Sequence, residues 1–95
     1  MKEYWVYMLG SFNQNSLYIG VTSNLLKRIE DHKSGAVPGY TKKYKTHFLV
    51  WYEKTESAEA AILREKQLKK WRREKKELLI QQQNPARRDL ALDWA

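Results

Sequence analysis

The stretch YWVYML, Tyr4 to Leu9, is apolar or aromatic at every position. A strand reads this way when both of its faces are buried. The rest of the chain has to cover it, and 95 residues suffice for one domain. A domain of this size buries roughly 60–65% of the surface exposed by its unfolded chain, which allows one core and little more. Four Trp, six Tyr and two Phe supply bulk for that core and argue against disorder.

The turn cluster GSFNQNS follows, and then a second short strand over Leu17–Val21. A hairpin centred on Phe12–Asn13 sets Tyr7 opposite Tyr18, on one face of the sheet. Thr22-Ser23-Asn24 offers good N-cap residues for a helix that runs to about Lys33 and stops near Gly35. Its apolar positions are Leu25, Leu26 and Ile29, with Lys27, Glu30 and Asp31 opposite. Arg28 and His32 fall on the flank of the stripe, bordering the sheet. Residues 34–46 form a Gly/Pro/Ser loop rich in Lys and Tyr, and His47–Glu53 is a third strand.

From Ser57 to Gln83 the pattern is helical, with no Gly or Pro. Ser57 suits the N-cap, and Glu59 suits the positive end of the helix dipole. The segment is long for one globular helix, so a break is expected between residues 70 and 75, near Trp71–Arg73. Asn84-Pro85 ends it, and the tail ARRDLALDWA docks through Leu90, Leu92 and Trp94. The order β-β-α-β-α-α predicts an α+β fold, a three-stranded and mainly antiparallel sheet flanked by helices. Residues 1–85 form the domain and 86–95 a short tail.

The absence of Cys excludes disulfides and Cys-based metal sites. No run approaches the ~18 apolar residues of a membrane span. The N-terminus is too short and too aromatic for a signal peptide. A cytoplasmic protein with no membrane partner and no disulfide partner is expected, as a monomer or weak dimer. Lys and Arg number 18 against 11 acidic residues, for a net charge of +7. Eight of those basic residues fall in the 13 positions from Arg64 to Lys76. Lys42, Lys43 and Lys45 interleave with Tyr40 and Tyr44. Such density suits phosphate binding with counterion release, and tyrosines among lysines suit stacking on bases. Lys42, Lys43, Tyr44, Lys69, Lys70, Arg72 and Arg73 are therefore the predicted nucleic-acid contacts. The bland alternative is a solvated helix face charged for solubility.

One residue breaks the helical pattern. Glu65 lies within the stripe Ala58, Ala61, Ile62 and Leu68, where a lone carboxylate is costly unless it is paired or bound to a metal. Arg64 and Lys66 point elsewhere on the helix. A partly exposed edge position, or a pair with Arg28, would explain Glu65 without function.

Taken together, these residues resemble the GIY-YIG nuclease superfamily. The matching elements are Trp5-Val6-Tyr7, Tyr18-Ile19-Gly20, Arg28, His32, Glu65 and Asn84. They cover about residues 3–85, and the chain looks most similar to small stand-alone bacterial members related to the N-terminal nuclease domain of the repair excinuclease. Two positions depart from the pattern: Trp5 replaces the first motif's Gly, and Val21 stands where the repair nuclease carries Lys.

The resemblance implies a DNA endonuclease that hydrolyses phosphodiester bonds with one Mg2+ or Mn2+, in DNA repair or recombination, on branched or damaged DNA among other substrates. It implies that Glu65 is the sole protein ligand of the metal and that Arg28 holds phosphate oxygens. Tyr7, assisted by Tyr18, would orient or deprotonate the attacking water, and His32 would donate a hydrogen bond or shuttle a proton. Gly20 would allow close backbone approach, and Asn84 would support the Glu65 region. Without the resemblance, strand packing explains both tyrosines and an ordinary helix end explains Asn84. The alternative function is a nucleic-acid-binding module that keeps the fold with weak or absent catalysis.

Overall fold

β1 (Tyr4–Ser11) is the middle strand of a three-stranded antiparallel sheet ordered β2-β1-β3, with β2 at Leu17–Thr22 and β3 at Thr46–Thr55. The computed structural model describes residues 3–11, 16–34, 46–92 and 94. Val6, Tyr7, Met8 and Leu9 are all buried, which is why neither side of this strand could carry a polar residue. Val6 and Met8 join Ile19, Val50, Trp51, Ala61, Leu68 and Ile80 on one face. Tyr7 and Leu9 join Leu25, Ile29, Leu49 and Ala91 on the other.

Among the described residues, three helices provide the cover. α1 (Leu25–Ser34) lies on the Tyr7 face, and α2 (Ala58–Lys70) and α3 (Arg73–Gln83) lie on the Val6 face. At α1, Asn24 Oδ1 accepts the Lys27 N–H, and Thr22 Oγ1 accepts the Asn24 N–H, so the expected cap cluster does the capping. Leu26 is 42% exposed, contrary to expectation, and the inner stripe is Leu25, Ile29 and His32. At about 100° per residue these three fall within roughly 60° of one another, which places His32 in the stripe and not on its flank.

At α2, Ser57 Oγ accepts the Ala60 N–H. Ala61 and Leu68 are buried, whereas Ile62 is 44% exposed, so the stripe is narrower than its apolar residues suggest. The break falls at Trp71–Arg72, both of which have extended backbone. Neither Gly nor Pro forces it. Trp71 packs against the Val6-face core, with the Arg64 guanidinium 5.3 Å and the Lys75 ammonium 4.2 Å from its ring.

The hairpin register is shifted by two residues from the expected one. Tyr7 pairs with Gly20, and Tyr18 pairs with Leu9. Because the shift is even, both tyrosines stay on one face. β3 carries a bulge between Met8↔Trp51 and Leu9↔Leu49, which leaves Val50 as the extra residue. Its outer edge at Tyr52 is closed by Gln83, whose amide accepts the Tyr52 N–H at 3.0 Å and donates to its carbonyl at 2.9 Å. A side chain thus satisfies backbone that would otherwise invite another strand.

The tail is tied to β3. The Leu90 N–H donates to the Leu49 carbonyl, and the Leu49 N–H to Asp89 Oδ1. Ala91 is buried, and Trp94 meets Tyr52 edge-on at 5.8 Å. Leu92, expected to dock, is 65% exposed; the small Ala91 takes the inward place.

Asn84 holds this junction. Its amide donates to the carbonyls of Val50 and Arg88 and accepts the Arg88 N–H. Asn84 is 4% exposed, so truncation strands buried polar groups. Asn84→Ala is expected to cost about 2–3 kcal/mol in urea unfolding, with Gln83→Ala costing about 1 or less.

Candidate active site

The site forms around the β2 edge. α2 packs against β2 from the Val6 face of the sheet, and on the other face α1 reaches the same strand through His32, whose ring meets Tyr18. At its centre is Tyr7, 1% exposed. Its phenol lies across the Cα of its partner Gly20. A Cβ built on Gly20 would stand 2.5 Å from the Tyr7 hydroxyl oxygen and 3.0 Å from the Tyr18 ring. No side chain fits there, so glycine is required by close approach. The expected purpose of Gly20, access for backbone, becomes access for a phenol.

His32 lies behind Tyr7. It is 1% exposed, and its Nε2 shares a 3.1 Å hydrogen bond with the Tyr7 hydroxyl, the direction following the imidazole tautomer. The imidazole packs edge-on to Tyr7 at 5.9 Å and against Tyr18 at 5.4 Å, and the two tyrosine rings are 6.2 Å apart. Burial raises the Tyr7 phenol well above its usual pKa near 10, and Tyr18 and Glu65 push it the same way. Arg28 works against them.

Arg28 is half-buried on α1. Two carboxylates that might have claimed it have lysine partners: Asp31 pairs with Lys27 at 3.0 Å and Glu65 with Lys69 at 3.5 Å. Glu65 is therefore partly exposed, its side chain at 22%, and its partner is one turn along its own helix. That i,i+4 pair was legible from spacing alone, and the expected solitude of Glu65 overlooked it. Asn84 directs its side-chain hydrogen bonds to β3 and the tail, not to Glu65.

Lys69, Lys70, Arg72 and Arg73 are exposed along α2, the break and α3. Arg73 is engaged with Glu77 at 2.9 Å. Lys42, Lys43 and Tyr44 lie outside the described residues. No group of three or more His, Asp or Glu side chains able to hold a metal occurs among the described residues. No described helix is long and apolar enough to cross a membrane.

A family model, the GIY-YIG catalytic domain, matches residues 3–78. The chain belongs to the GIY-YIG family. It is 39% identical over 88 residues to a UPF0213 protein of Syntrophus aciditrophicus, covering 92% of this chain and 99% of that one. A UPF0213 protein of Staphylococcus haemolyticus is 34% identical, with 86% and 99% covered. The solution NMR structure of the UPF0213 protein BH0048 from Bacillus halodurans superposes with a TM-score of 0.58 at 30% identity, covering 98% and 99%. GIY-YIG domains form a family of endonucleases, generally dependent on divalent metal, and the domain implies DNA binding.

Two outcomes follow from the Tyr7 packing. Gly20→Ala is expected to displace the phenol and break the His32 bond, destabilising the fold by about 1–3 kcal/mol in thermal or urea unfolding. The second concerns alkaline pH. The folded phenol has a raised pKa, so the folded state keeps a proton that the unfolded state loses above about pH 10. Its contribution is present below pH 10 and falls as pH rises above it. Tyr7→Phe should flatten the loss of stability above pH 10, measured against wild type by urea unfolding at stepped pH.

Proposed function

We propose that this chain is a metal-dependent DNA endonuclease that hydrolyses phosphodiester bonds, with Tyr7, Tyr18, Arg28, His32 and Glu65 as its working residues. The observation that carries the reading is the locked phenol at the β2 edge, with a guanidinium and a carboxylate in its electrostatic surroundings. Packing alone does not require a buried phenol–imidazole pair beside an Arg and a Glu, and such constellations concentrate at functional sites.

The residues fit a single divalent cation. Glu65 offers a partly exposed carboxylate restrained by one half-exposed lysine. Mg2+ and Mn2+ bind in this way through few carboxylates, with waters and phosphate oxygens completing the shell. Bound there, the ion would neutralise charge on the phosphate and lower the pKa of a water. Arg28 holds the non-bridging phosphate oxygens in the geometry its planar fork favours.

Tyr7 positions the attacking water. A buried phenol with a raised pKa is a poor free base at neutral pH, so the proton moves through it. The water passes a proton to the Tyr7 oxygen while the phenol passes its own to His32 Nε2, and no free tyrosinate accumulates. Tyr18 holds the phenol by ring contact. The exposed basic residues of α2 and α3 supply the surrounding phosphate contacts, and DNA repair or recombination is the process such an enzyme would serve in the cytoplasm.

One observation favours a second reading, a DNA-binding module without catalysis. Val21 packs against the core and supplies no cation at the strand end. The two readings separate in a cleavage assay on duplex, branched, flapped and single-stranded DNA with Mg2+ or Mn2+. The enzyme is expected to cut at least one of these, and Glu65→Ala and Arg28→Ala each to lower the rate by about 10²–10³. Failure to cut any substrate with either ion, with binding that persists in Glu65→Ala, leaves the binding module.

A further inference from the structure

We propose that Lys69 is the cation that completes this site: it holds Glu65 in the metal-free protein, and it turns to a substrate phosphate once a divalent ion takes the carboxylate. The inference rests on the metal-dependent reading above. It begins with a deficit. β2 ends in Gly20-Val21-Thr22, and Val21 packs into the Val6-face core, so the edge strand brings no positive charge to a site built for a polyanion.

α2 brings one. Lys69 follows Glu65 by one turn, 3.5 Å away, with the two side chains 55% and 22% exposed. An exposed pair of this kind is weak and exchanges readily. Lys69 also lines a cavity of about 250 Å3 together with Leu17, Tyr18, Ile19 and Lys76. Tyr18 lies between Leu17 and Ile19 on the edge strand but turns its ring to Tyr7 and His32, so the cavity and the phenol cluster lie on opposite faces of one strand.

Lys76 reaches the same cavity from α3. In one unbroken helix the two lysines would be about 10 Å apart along the axis. The break at Trp71–Arg72 redirects the chain, and both residues line one hollow. The floor is the apolar Leu17 and Ile19 of the Val6 face and the walls carry two ammonium groups, which suits one nucleotide unit, its base or sugar against Leu17 and Ile19 and its phosphate between the lysines.

Glu65 ties the two ligands together. While its carboxylate is free it holds Lys69 and offsets the positive charge of the cavity. Once the carboxylate is engaged by a divalent ion, Lys69 is released and the cavity becomes more attractive to phosphate. Metal and DNA therefore favour one another's binding, and by linkage the coupling is reciprocal.

The test is Mn2+ titration of the free full-length protein, followed by electron paramagnetic resonance. Wild type should bind, and Glu65→Gln should lose binding. Lys69→Gln, freed of the competing ammonium, should bind about twofold to fivefold more tightly, and Lys69→Arg should restore the wild-type value. In parallel, duplex DNA affinity is measured against salt with Ca2+ present. Lys69→Gln and Lys76→Gln should each reduce the slope of log K against log salt by about 0.9. If Lys69→Gln binds Mn2+ no more tightly than wild type while Glu65→Gln abolishes binding, this inference is overturned and the endonuclease reading stands. An unchanged salt slope in Lys69→Gln overturns it likewise. Wild-type protein that binds no Mn2+ overturns both.

Discussion

A phenol resting on a bare Cα organises this domain. Tyr7 belongs to the middle strand and is fully covered, yet its hydroxyl reaches toward the edge strand because Gly20 has no side chain to stop it. From there the oxygen meets His32, and that bond helps to set how α1 lies on the sheet, since His32 shares its inner stripe with Leu25 and Ile29. Any Cβ at position 20 would push the ring away, and the imidazole would lose its partner inside a dry layer. Fold and site thus share one contact.

Convergence on an edge also explains how so small a sheet assembles a site. A residue on the upper face and one on the lower face are normally separated by the sheet. Among the described residues β2 has no further strand beside it, and His32 from the α1 layer and Leu68 from the α2 layer both pack close to this edge. The opposite edge is spent differently. Gln83 closes β3 at Tyr52, and the tail adds the Leu90 and Asp89 bonds at Leu49. One edge is sealed by hydrogen bonds, and the other carries the residues of the candidate site.

Much of this was legible in the sequence, and the misses have physical causes. The element order, the capped turn at Thr22–Asn24 and the break near Trp71 followed from pattern, cap chemistry and length. The register did not, because the turn cluster holds several residues able to turn the chain and periodicity cannot choose among them. The even offset kept Tyr7 and Tyr18 together, but it concealed that Gly20 faces Tyr7. Ile62, Leu26 and Leu92 were assigned inward because they are apolar, whereas His32 and Ala91 hold the inward places. Residue type is a weak guide on a narrow helix face, where angular position decides. Asp89 and Gln83 left no signal, since a side chain bonding to a strand backbone in three dimensions has no periodicity in one.

The source of positive charge bears on what such a site can do. A lysine on the edge strand would be fixed, since strand backbone is held by its ladder. Lys69 instead extends from an exposed helical turn, restrained by one weak pair, and the proposed exchange of a carboxylate for a phosphate would need no backbone movement. The raised pKa of Tyr7 makes the number of nearby cations matter: burial, Tyr18 and Glu65 all disfavour a negative oxygen, and Arg28 alone opposes them among the influences on it. In the proposed metal-dependent site, a divalent ion at Glu65 would remove one of the opposing charges and supply a favourable one. On the proposed reading, the same burial that stabilises the fold would keep Tyr7 protonated until the ion is bound.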